Sequence, residues 1–97
     1  MRNPFDPEVM QVIWGCFPRC SITGRTKDVD MHHVLGRQSS SPFNSIPLER
    51  VTHDYGVKNQ PELKEYFLRK ARGQVMEKVM KKEYTITRED EDFLGSL

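Results

Sequence analysis

All three histidines of this 97-residue chain, His32, His33 and His53, fall in the stretch Asp30–His53, DMHHVLGRQSSSPFNSIPLERVTH. That clustering constrains the fold. Lys27-Asp28-Val29-Asp30-Met31 alternates polar with apolar residues, the pattern of a half-exposed strand, and it places His32 and His33 at the strand's end. Gly36 to Ser45 is a loop by composition, with Ser39, Ser40, Ser41 and Pro42 in succession and Phe43 as its anchor to the core. Ile46 and Leu48 mark a brief second strand. Arg50 to Tyr55 then forms a short helix carrying His53, ended by Gly56 in a left-handed cap. The expected order is strand, loop, strand, helix.

Successive side chains of a strand leave on opposite sides, so one histidine of the pair can face a metal while the other faces substrate. A metal needs a second anchor, and His53 is the only remaining imidazole. Asn44 lies between the two and can hydrogen-bond backbone or ring nitrogen, holding the working histidine in one orientation. Asp30 is an additional ligand, a partner to a ligand, or an ordinary solvent-facing carboxylate. Arg37 is placed to contact a phosphate, or is a surface arginine. The plain alternative for the whole set is a pair of surface histidines near a turn and a loop asparagine beside Pro42. The ordered spacing favours a site.

His32-His33-Val34, then Asn44-Ser45-Ile46-Pro47-Leu48 and a final His53, resemble the HNH endonuclease family over about a quarter of the chain. The resemblance implies a ββα-metal (His-Me) finger, core about 20–56; with the N-terminal helix and the C-terminal helical extension about 61–94 read from the residues below, the expected fold is α+β in one domain spanning 1–97. It implies that His33 is the general base, that His32 and His53 bind metal, and that Asn44 orients the base. The activity implied is metal-dependent hydrolysis of DNA phosphodiester bonds, in phage or mobile-element DNA processing. Mg²⁺ or Mn²⁺ suits the mixed donor set best, with Ni²⁺ or Zn²⁺ as further occupants.

Two departures from the family matter. Many members carry two Cys-x-x-Cys pairs that bind a structural zinc; Glu49 and Thr52 stand where the second pair would be. Upstream there are only Cys16 and Cys20, or Cys20 with Thr23 in a shifted register, so a structural Cys₄ zinc site is ruled out by count. The two cysteines are read as small buried hydrophobes. Val57 stands where some relatives, the colicin nucleases among them, have another metal-binding histidine, so weaker metal affinity is expected.

With 36% hydrophobic and 30% charged residues and no long apolar run, the chain is expected to be cytoplasmic, without membrane contact. Its net charge of +1 hides an uneven distribution: residues 61–82 hold seven Lys or Arg against three Glu, and residues 83–97 one Arg against five Asp or Glu. DNA is the expected partner of the basic segment, which is otherwise a solvated helix face. The acidic run Glu89–Asp92 is expected to fold against it and compete with phosphate.

Asp6, Pro7 and Glu8 begin an N-terminal helix that Gly15 and Pro18 stop. Pro61 begins a long helix running to about Lys82, with Leu63, Phe67, Ala71, Val75 and Val79 four apart. Its stripe is long enough to take a homodimer or protein partner as well as the core. Thr87, with Asp90 three residues on, caps a last helix through Leu94. Two competing functions remain: a non-catalytic nucleic-acid-binding or recombination accessory module, and a protein-interaction domain presenting the long helix.

Overall fold

The computed structural model describes residues 4–50 and 60–97. His53, Thr52, Val57 and the expected helix from Val51 onward with its Gly56 cap lie outside the described residues. Those described form an α+β arrangement of three α-helices and one two-stranded antiparallel sheet.

The N-terminal helix spans Pro7–Trp14. The Asp6 carboxylate accepts from the Glu8 N–H at 2.9 Å, and proline occupies the first turn, where its missing N–H costs nothing. Gly15 ends the helix at φ 86°, a left-handed conformation that glycine adopts without strain. Met10 and Ile13 are buried.

Strand β1 runs Val29–His33 and β2 Ser45–Glu49. They pair antiparallel, with Asp30 opposite Leu48, His32 opposite Ile46 and His33 opposite Ser45. β1 begins two residues later than the alternation suggests because Asp28 adopts φ 53°, which breaks an extended run before Val29. The connecting loop contains a 3₁₀ turn at Pro42–Asn44, and its Phe43 is buried as expected.

The long helix, Pro61–Met80, is the spine against which both ends of the molecule pack. Its Phe67 joins Cys20, Val34, Ile46 and Leu48, while Val75 joins Ile13, Phe43 and Phe93. Trp14 and Leu68 touch both clusters and make the core continuous. Full burial contributes about 1.5–3 kcal/mol for each large apolar side chain. The four-residue spacing read from the sequence is therefore a core stripe, centred on Phe67, Ala71 and Val75. The helix stops at Met80, two residues short of expectation, and Lys82 turns left-handed at φ 60°.

The C-terminal helix, Arg88–Gly95, starts with the Thr87–Asp90 capping box and buries Phe93. Among the described residues no helix is long and apolar enough to cross a membrane.

Candidate functional site

By register, His32 shares a face of the sheet with Ile46 and His33 shares the other with Ser45. Both residues nevertheless line one cleft of about 430 Å³, together with Asp30, Met31, Gly36, Arg37 and Leu48. Four of the residues expected at the site, Asp30, His32, His33 and Arg37, are thus brought together. Asp30 is exposed and paired with Arg50, whose Nε lies 3.2 Å from its Oδ2, so part of its carboxylate is already engaged. The His33 imidazole stacks on Phe5, ring centroids 3.8 Å apart and planes within 10°.

Asn44 is fully buried at the junction of the 3₁₀ turn and β2. Its Oδ1 accepts from the Leu35 N–H at 2.9 Å, and its Nδ2 donates to the carbonyls of Gly36 at 3.0 Å and Ser39 at 3.1 Å. Its own carbonyl accepts from the Val34 N–H at 2.9 Å. Both amide hydrogens therefore end on main chain, and the asparagine grips the turn that follows the histidine pair. Gly36 makes that turn at φ 88°, where an L side chain would be strained.

The serine loop is held from the other side by the C-terminal helix. Ser41 Oγ donates to Asp90 Oδ1, and Glu89 Oε1 accepts from the Ser40 N–H and the Ser40 Oγ, each at 2.9 Å. This corrects the expectation for the first half of the acidic run: Glu89 and Asp90 bind serines, while Arg69 and Lys78 of the long helix and Lys81 just beyond it pair with Glu65, Glu83 and Glu77. The physical reason is that buried or half-buried hydroxyl and N–H donors need acceptors, whereas exposed lysines are solvated by water at little cost.

Cys20 is buried, but Cys16 is exposed, so the reading of both as buried hydrophobes holds only for Cys20. The left-handed Gly15 turns the chain outward, and Cys16 Sγ accepts from Gln11 Nε2 at 2.8 Å. Around Cys20 a hydrogen-bonded knot forms. Thr23 Oγ1 donates to Glu49 Oε1, and Arg25 Nε lies 3.9 Å from the same oxygen. Burial pushes the Cys20 thiol up, but hydrogen bonds from the Thr23 side chain and from the backbone of Glu49, Thr23 and Ile22 outweigh it, leaving the pKa below its ordinary value. Glu49 is only 8% exposed but its donor Thr23 is exposed and can turn to water, so Glu49→Ala should cost about 1 kcal/mol in urea unfolding. In the same measurement EDTA should leave the curve in place. Near-stoichiometric zinc in elemental analysis, with unfolding once it is stripped, is the opposite result.

Among the described residues no group of three or more His, Cys, Asp or Glu side chains is gathered tightly enough to hold a metal ion. His32 and Asp30 supply an imidazole and a carboxylate to one cleft; a third donor of the expected set, His53, is outside the described residues. Not encoded in any spacing are the contacts of Phe5 with His33, of Arg50 with Asp30, and of Ser40 and Ser41 with Glu89 and Asp90. For Phe5 the available signal was its place just before the Asp6 cap, an apolar position that packs back on its own helix. No family model, no curated protein and no solved structure matches the chain.

Proposed function

We propose that this chain is a metal-dependent endonuclease of the HNH type, hydrolysing DNA phosphodiester bonds, and that β1, β2 and the segment carrying His53 make up its ββα-metal finger. The observation that carries this reading is the hairpin that ends on His32 and His33 and is closed by a buried Asn44, with Arg37 in the same cleft.

In this reading His33 accepts a proton from the attacking water, a contribution typically worth about 10² to 10⁴ in rate. Arg37 donates to a non-bridging phosphate oxygen, where a charge-assisted bond orients the backbone. Asn44 keeps the Leu35–Ser39 turn closed and so fixes where the end of β1 lies. His32 and His53 would hold the ion, with Asp30 in reach and shared with Arg50. An imidazole and carboxylate donor set suits Mg²⁺ or Mn²⁺ and also admits Ni²⁺ or Zn²⁺. When bound, the ion supplies Lewis-acid stabilisation of charge on the phosphate.

Supercoiled plasmid incubated with the purified chain and Mg²⁺, Mn²⁺ or Ni²⁺ should be nicked or linearised, and EDTA should stop it. Retardation of the plasmid on a gel with every ion, without a cut, would support a non-catalytic DNA-binding module in its place.

A further inference from the structure

We propose that Phe5 is a positioning residue for His33, fixing the plane of the imidazole that the endonuclease reading makes the base; the proposal rests on that reading for its kinetic consequence alone. The rings are face to face, with centroids 3.8 Å apart and an interplanar angle of 10°.

Three features hold Phe5 in that place. It immediately precedes Asp6, whose side chain caps the N-terminal helix. It stands five positions before Met10, the spacing at which an apolar residue ahead of the cap packs on the helix's fourth residue and sets the entry angle of the chain. Phe5 and Met10 line one groove together with Val29 and Met31 of β1, the strand that ends in His33.

The stack supplies what Asn44 does not. The second side-chain torsion of histidine is broad, and a ring lying face on against the imidazole narrows it. Both amide hydrogens of Asn44 are spent on the carbonyls of Gly36 and Ser39, which fixes main chain. A base must bring one ring nitrogen within about 2.6–3.2 Å of the proton it takes, and small errors of placement are costly. Turning the His33 ring away from that geometry would break its contact with Phe5. Asp30, His32 and Arg37 line the cleft on which His33 also opens.

The test uses the full chain with Phe5→Leu and Phe5→Met, which keep an apolar staple and remove the ring, and Phe5→Tyr, which restores a ring. Proton NMR of the His33 ring C–H groups reads the stack directly, and thermal melts check that each variant is folded. In the Leu and Met variants the ring protons should lose their upfield displacement, and the kcat of plasmid cleavage should fall about tenfold with KM little changed. The Tyr variant should recover both. Unmoved His33 protons in folded Leu and Met variants would overturn the proposal. So would moved protons with undiminished kcat, or a kcat loss that Tyr does not rescue. If the wild type cuts nothing with any ion, the endonuclease reading falls; the NMR comparison still decides whether Phe5 holds the His33 ring.

Discussion

Asp90→Ala should destabilise the protein by about 3 kcal/mol or more, the largest single effect expected for a residue away from the cleft. The side chain is fully buried and accepts from three donors: Ser41 Oγ, the Tyr84 hydroxyl at 2.6 Å and the Thr87 N–H at 2.9 Å. Alanine leaves all three without their acceptor and takes the capping box from the last helix at the same time. It also removes one of the two carboxylates by which the C-terminal helix holds the serine loop, leaving Glu89 on Ser40, and Ser41 lies two residues from the Ser39 carbonyl that Asn44 holds. Asp90→Asn should be milder, near 1 kcal/mol, because its oxygen can still accept from Tyr84 and Thr87 while its amide donates to the Ser41 hydroxyl, which can rotate to accept. Urea unfolding measures both. An Asp90→Ala midpoint indistinguishable from wild type would mean that the clamp is not formed in solution.

The same cluster predicts a pH dependence. Burial, followed by the hydrogen bond to Asp90 and its charge, pushes the Tyr84 phenol well above its ordinary value of 10.0. The folded state therefore keeps the proton more tightly than the unfolded chain. The stability this contributes is complete below the unfolded pKa and is lost as pH rises above it toward the folded value. In a phenolate absorbance titration Tyr84 should ionise well above the ordinary value, and Asp90→Ala should move it back toward that value.

The features legible in the sequence are those encoded over a few residues. Asp6-Pro7-Glu8 and Thr87–Asp90 announce helix starts because a cap and its acceptor lie within one turn. Leu63, Phe67, Ala71, Val75 and Val79 announce a buried stripe because helical geometry repeats near every four residues. Lys27–Met31 and Ile46–Leu48 announce two strands because side chains in a strand alternate every second residue. Contacts between Phe5 and His33, or between Ser41 and Asp90, join residues far apart in the chain, and no spacing rule encodes them. Asp90 is instructive: one of its carboxylate oxygens performs the readable capping role, and the other reaches a serine 49 positions away. Cys16 and Cys20 look alike locally, yet Gly15 and the packing of Phe67 separate them into exposed and buried. For the site, the placement of both histidines at a strand end and of Asn44 in the loop ahead of β2 was legible; that Asn44 would bond to main chain on three sides was one of two options it left open.

His33→Ala should lower plasmid cleavage by about 10² to 10⁴, the range that a positioned general base contributes, while calorimetric metal binding stays within a few-fold of wild type. The expectation follows from the division of faces: His33 shares its face with Ser45 and lies against Phe5, whereas His32 shares its face with Ile46, on the Asp30 side. His32→Ala and His53→Ala should weaken metal binding itself, and raising the ion concentration should restore part of their activity. Removing His33 leaves the Asn44 bonds to Leu35, Gly36 and Ser39 untouched, so the variant should melt near the wild type and its loss of rate can be assigned to chemistry. Normal cutting by His33→Ala would move the base elsewhere in the cleft. Loss of the ion in His33→Ala with retention in His32→Ala would exchange the two roles, because the face toward Phe5 would then be the one that meets the metal.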